Sequence, residues 1–172
     1  KRLYARQMEA FAASIAYADA EFGRILDGID TQGELDNTMI IITTDNGASA
    51  EGAASGTYSE EVFRNGHLAT DAENMKYLDK WGGPETYPHY AMGWAVAGNT
   101  PFRYYKQTTH EGGIHVPLVM AWPKGIAARG EFRNQFVHAT DPAATILDAS
   151  KSKPAEIVNG LPQRPFEGSS FA

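Results

Sequence analysis

Cysteine is absent from this 172-residue sequence. Within these residues that excludes disulfides, thiolate zinc sites and cysteine nucleophiles, and it leaves the cellular compartment open. No apolar run approaches the ~18 residues of a membrane helix, so no membrane span is expected, and the N-terminus lacks a signal-like pattern. Positive charge is in short supply too: 15 Lys and Arg stand against 21 Asp and Glu, for a formal net charge of −6. With no dense basic cluster, a nucleic-acid partner is not expected. Position 1 is not Met, and the first residues have the character of a helix interior, so the sequence reads as a piece of something longer. What is present is 42% hydrophobic and 11% aromatic residues, a composition that folds rather than staying disordered. The length suits one domain able to bury much of a core.

The most informative stretch is TMIIITTDNG, residues 38–47. Met39 to Ile42 is bulky and β-branched with no alternation, which predicts a strand buried on both faces, as in a parallel sheet. The chemistry then changes abruptly to Asp45-Asn46-Gly47. Ligands of open α/β sheets sit at the carboxyl ends of strands, where a carboxylate and an amide offer two hard oxygens. Such oxygens suit Ca²⁺ or Mg²⁺ better than zinc or copper. The same tripeptide is also ordinary turn chemistry, because Asn and Gly tolerate positive φ, so the metal assignment needs support elsewhere.

Upstream, residues 1 to about 28 carry Met8, Phe11, Ile15, Phe22, Ile25 and Leu26 at near-helical spacing. Asp30-Thr31-Gln32-Gly33 is the stop signal, and Tyr4, Asp19 and Arg24 read as solvated or capping groups. Helix, short loop and strand together predict an α/β unit. From 48 to 99 no period is sustained; a short helix is expected near 71–78, broken by Trp81-Gly82-Gly83-Pro84. So long a connection suggests an inserted lid or binding loop, with Tyr87, His89, Tyr90 and Trp94 as its working surface or as anchors that pin it. A second strand is expected over 112–122, with Pro117 marking an edge, a bulge or the true start. Residues 135–137 read as a short third strand. Asp141-Pro142 reads as N-cap and first residue of a helix through Leu147, and 150–172 as an irregular C-terminal excursion.

Between the loop region and the second strand, Lys106, His110 and Glu111 precede the pair Gly112-Gly113. An ammonium binds tetrahedral oxyanions as a point charge. Paired glycines allow a tight turn or the close approach of another group. A lone Lys is ordinarily a solvated surface residue; what raises this one is its expected pairing with Asp45-Asn46 on an adjacent strand end.

At these residues the sequence resembles the type I sulfatases of the alkaline-phosphatase-like superfamily. Those proteins carry a helix, a loop and a strand ending in Asp-Asn-Gly, then Lys-x-Thr-Thr-x-Glu-Gly-Gly and a strand like Ile-x-Val-Pro. Here stand Asp45-Asn46-Gly47, Lys106-Gln-Thr-Thr-His-Glu-Gly-Gly113 and Ile114-His-Val-Pro117. The helix opened by Asp141-Pro142 and the Glu167-Gly168-Ser-Ser170 stretch are similar to later family segments. Gly93-Trp94 and Asn99-Thr-Pro-Phe-Arg103 look most like bacterial arylsulfatases.

The resemblance implies an α/β fold with a mainly parallel sheet flanked by helices, residues 1–172 being a partial catalytic domain. It implies that Asp45 and Asn46 ligate a divalent metal, Ca²⁺ first and Mg²⁺ second, and that Lys106 is both the sulfate-binding and a catalytic residue. The implied substrate is a small sulfate ester or a sulfated glycan. The family nucleophile is a formylglycine made within Cys/Ser-x-Pro-x-Arg, which is missing here; the nearest string, Ser152-Lys-Pro154-Ala-Glu156, ends in Glu and reads as a surface loop. The nucleophile and the rest of the catalytic domain are therefore expected upstream, with the isolated chain inert, binding Ca²⁺ weakly or not at all. His110 and Glu111 are expected to hold the Lys106 loop by hydrogen bonds, and His115, where the family often has Arg, carries no role. The alternatives are a phosphonate or phosphate ester hydrolase of the same superfamily, or a non-catalytic binding domain on a sulfatase scaffold. The compartment stays open between bacterial cytoplasm and periplasm.

Overall fold

The computed structural model describes residues 1–127 and 130–171. They form two compact units, residues 1–124 and 125–172.

The first unit opens with α1 (Arg2–Thr31), which ends where the stop signal predicts, with Gly33 at φ +73° just beyond. Only its first turns are anchored. Leu3 and Gln7 are buried, whereas Ile15 and Ile25 further along are exposed. Leu3 packs with Leu78 and Trp81 in the buried core, joined by Ala10 and Tyr58.

The irregular segment wraps this end of α1. It contains α2 (Glu60–Arg64), α3 (Asp71–Met75), a 3₁₀ turn at Leu78–Lys80 and α4 (Met92–Gly98). The helix expected near 71–78 is thus shorter, α3 plus that turn. Its start is a capping box: Thr70 Oγ1 accepts from the Glu73 N–H while the Glu73 carboxylate accepts from the Thr70 N–H. Buried polar side chains bind the segment alongside the isolated bridges Thr57–His89 and Ser59–Tyr87. Gln7 donates to Ser55 O at 2.7 Å and accepts from Ala91 N at 3.0 Å. Asn74, fully buried, accepts from Tyr58 N and donates to Gly56 O.

Strand β1 (Ile40–Thr43) pairs with β2 (Leu118–Ala121), with Ile40 opposite Ala121 and Thr43 opposite Leu118. This pair runs antiparallel, which corrects the parallel arrangement expected for these strands. The reason is where the chain returns. Gly47, just past the end of β1, hydrogen-bonds Gly113, just before β2, so the chain re-enters at the end it left. A strand entering there must run the opposite way. At the other end the Lys124 N–H donates to Asp36 O. Nor is the ladder buried on both faces: Ile42 is 45% and Val119 57% exposed. The strand expected over 112–122 is also reduced. Residues 111–114 form the short helix α5 (Glu111–Ile114), and Pro117 marks the true strand start.

In the second unit, α6 (Asp141–Ala149) begins one residue earlier than expected, with Thr140 at the N-cap and Asp141 already helical. The Asp141 carboxylate accepts from the His138 and Ser169 N–H groups instead, which holds its pKa below the usual carboxylate range. Buried Thr145 donates to Asp141 O and accepts from Phe171 N. Residues 135–137 are not a strand; Phe136 stands exposed. The stretch after 150 contains a small hairpin, β3 (Ile157–Val158) with β4 (Leu161–Pro162), turned by Asn159-Gly160 at φ +50° and +79°.

Candidate functional site

The turn after β1 comes first. Thr44 Oγ1 donates to Asn46 O, and Asn46 Nδ2 to Gly47 O at 2.8 Å. That fixes the Asn46 amide with its Nδ2 turned inward. The Asp45 carboxylate is exposed and makes no hydrogen bond or ion pair among the described residues, nor does the Asn46 Oδ1. A carboxylate and an amide oxygen on consecutive residues, neither with a protein partner among the described residues, are of a chemistry that suits Ca²⁺ or Mg²⁺. They make only part of a coordination sphere. Among the described residues, no group of three or more His, Asp or Glu is arranged to hold a metal ion.

The turn is locked to the Lys106 loop through backbone. Gly47 N donates to Gly113 O at 3.0 Å, and a Cβ on Gly47 would lie 1.7 Å from Gly112 O. Gly112 is equally tight: a Cβ there would meet Tyr104 O at 2.2 Å. Three backbone segments therefore stack without intervening side chains, the close approach that the glycine pair suggested. The Lys106 N–H adds a bond to Ala48 O at 3.0 Å.

One residue completes this joint. Asn99 accepts from the Ala48 N–H at 3.0 Å and donates through Nδ2 to Tyr104 O at 3.0 Å and Gly112 O at 2.8 Å. It ties the Asp45 turn, the approach to Lys106 and the glycine pair together. Sequence reasoning placed Asn99 in a family-like string but gave it no task; its only local signal was an Asn at the end of an expected irregular region.

The Lys106 ammonium faces Glu51, with Nζ 2.8 Å from Oε2. This hydrogen bond is the main reason the lysine pKa is raised, and the nearby charges of Asp45 and Glu60 act in the same direction. Glu51 is correspondingly lowered, chiefly by Lys106 and then by the Ser49 hydroxyl. Sequence reasoning missed Glu51, since nothing periodic in its segment says where its side chain points.

The remaining candidates serve packing. Glu111 bonds His115 Nδ1 one helical turn away, and His115 stacks on Phe102 with centroids 4.4 Å apart. His110 holds its loop through ring contact with Tyr104 at 4.5 Å rather than through a side-chain hydrogen bond. Trp94 Nε1 donates to Tyr4 O and Tyr90 meets Phe11 edge-on, so these two anchor the segment to α1, while His89 bonds Tyr90 O within the segment. Tyr87 alone of the four is largely exposed.

A family model for sulfatases matches residues 2–152. An uncharacterised sulfatase of Schizosaccharomyces pombe is 32% identical over 155 residues, covering 88% of this chain and 26% of that protein. An arylsulfatase of Klebsiella aerogenes is 27% identical over 175 residues, covering 98% of this chain and 34% of that protein. An N-acetylgalactosamine-6-sulfatase of Rattus norvegicus is 27% identical over 153 residues, covering 88% of this chain and 22% of that protein. The chain thus spans about a quarter to a third of the length of these relatives.

Proposed function

The chain belongs to the sulfatase family, and from that premise we propose that it supplies part of the active site of an arylsulfatase-like sulfuric ester hydrolase. In this reading Asp45 and Asn46 give two oxygens to a divalent cation, Ca²⁺ by first choice, and Lys106 binds the sulfate group. The observation that carries it is the backbone joint. Gly47 N–H to Gly113 O and Lys106 N–H to Ala48 O bring the carboxylate turn and the lysine loop side by side beyond one end of β1.

A cation held by Asp45 and Asn46 would polarise the sulfate oxygens. Lys106 orients the ester by donating to a sulfate oxygen, and its charge opposes the negative charge that grows as the ester bond breaks. Asn99 and the glycines keep that ammonium and the carboxylate turn in register. The formylglycine nucleophile would come from outside these 172 residues. Two protein oxygens fall well short of the roughly six to eight that Ca²⁺ takes, so the isolated chain is inert and binds the ion weakly.

Hydrolysis of an aryl sulfate by the complete gene product tests this reading. Lys106→Met should lower kcat/KM by about 100-fold or more, as loss of a group that stabilises developing charge does. An unchanged rate ends it. Preferential turnover of a phosphate ester or a phosphonate would favour the other hydrolases of the superfamily, and no turnover of any of them a binding role.

A further inference from the structure

An exposed Lys–Glu pair is ordinarily worth little and is loosely held. The Lys106–Glu51 pair is built differently. Both side chains are only about one-third exposed, 33% and 35%, and both carboxylate oxygens are engaged. Oε2 takes Lys106 Nζ at 2.8 Å and the Ser49 hydroxyl at 2.8 Å, while Oε1 takes Gln107 Nε2 at 3.2 Å. The donors come from two chain segments, and the backbone is bent to bring them in: Gln107 sits at φ +73°, a conformation that non-glycine residues rarely adopt and that concentrates at functional sites. An ammonium, an amide and a hydroxyl converging on two oxygens of one anionic group is the arrangement that also suits one edge of a tetrahedral oxyanion. Here a side chain of the protein fills it.

We propose that Glu51 is a tethered anion in an oxyanion cradle formed by Lys106 Nζ, Gln107 Nε2 and Ser49 Oγ, and that sulfate binds by displacing it. The inference rests on the reading of Lys106 as the sulfate contact, and extends it in two ways. It adds Ser49 and Gln107 as sulfate ligands, and it makes Glu51 the residue that keeps the ammonium ordered while the cradle is without substrate. Displacement is feasible because Gln107 is exposed and Glu51 stands on a loop rather than inside a helix or strand. A sulfate arriving beside an undisplaced carboxylate would meet like charge, so Glu51 sets how tightly the anion is held.

The test is a titration of the calcium-loaded complete gene product with sodium sulfate at constant ionic strength. The NMR signals of the Lys106 ammonium and the Gln107 side-chain amide report binding. Glu51→Gln, which keeps the size and removes the charge, should bind sulfate about tenfold more tightly than the parent chain, an effect that shrinks as salt is raised. Glu51→Ala is the second variant should the first fold poorly, and it should shift affinity in the same direction. Adding Gln107→Ala to Glu51→Gln should take back part of the gain, which a purely structural role for Glu51 would not produce. Equal or weaker sulfate binding by folded Glu51→Gln overturns the proposal and leaves Lys106 as the sulfate contact intact, provided its signal still moves. A Lys106 signal that ignores sulfate in every chain overturns both.

Discussion

Residues 48–99 carry no sustained period, yet they hold Trp81 at 2% and Asn74 at 0% exposure; the β1–β2 ladder is regular in every pair and leaves Val119 at 57%. The two regions solve backbone hydrogen bonding in opposite ways. A two-stranded ladder pairs the N–H and C=O groups that face across it and leaves the outward ones open to solvent or a further strand. An irregular segment must find a partner for each buried polar group, and here the side chains of Gln7, Thr57, Asn74 and Thr86 supply several of them beside the isolated bridges Thr57–His89 and Ser59–Tyr87. Regularity of backbone is therefore no guide to where this unit is best packed. The buried core follows the aromatic and amide side chains that close on the first turns of α1.

The sharpest way to break that contrast is a matched pair of substitutions. Trp81→Ala removes a buried ring from the core and should destabilise the unit by about 3–5 kcal/mol, whereas Val119→Thr in the ladder should change stability by less than about 0.5 kcal/mol. Chemical denaturation of the two variants measures both, and comparable effects would dissolve the distinction. The joint between the regions comes next. Gly47→Ala sets a methyl against the Gly112 carbonyl, where neither backbone can yield alone. A loss of about 2–3 kcal/mol is expected, together with displacement of the Asp45 turn, visible in the amide shifts of residues 44–48.

The smallest effect belongs to the capping box of α3. The Glu73 carboxylate accepts from the Thr70 backbone and hydroxyl, which pulls its pKa down from 4.5 to about 2. A folded-state pKa below the unfolded value means a contribution fully present above about 4.5 and lost as pH falls towards about 2. Amide exchange at residues 70–75 should therefore accelerate on acidification through that window, while the Glu73→Gln variant should show no such step. The residue is only partly buried, so the change stays local to α3.

The backbone approach within the candidate site was legible. Asp45-Asn46-Gly47 and Lys106 through Gly113 could be paired because each carries its own chemistry in a short string, and the glycines announced a close approach that the fold then makes. Glu51 and Asn99 were not legible in role. Each acts across a distance in sequence, Glu51 on Lys106 and Asn99 on Ala48, and no periodic pattern aims either side chain. Among the elements, α1 and β1 were read from apolar spacing within about three residues of their observed bounds. The β3–β4 hairpin was missed although Asn159-Gly160 is a strong turn signal, because its flanking runs are only two residues long.

Local preferences in the chain set the helix of α1, the start of β2 behind Pro117 and the Asn-Gly turns, and the sequence carries the residues we propose for a cation and an oxyanion. Their direction and company were settled in three dimensions. The Ile-rich strand pairs antiparallel because the chain returns at the end it left, a consequence of how 48–113 folds back. Lys106 meets Glu51 for the same reason: backbone packed on backbone at Gly47, Gly112 and Gly113 decides which side chains share a space, and no local propensity encodes that.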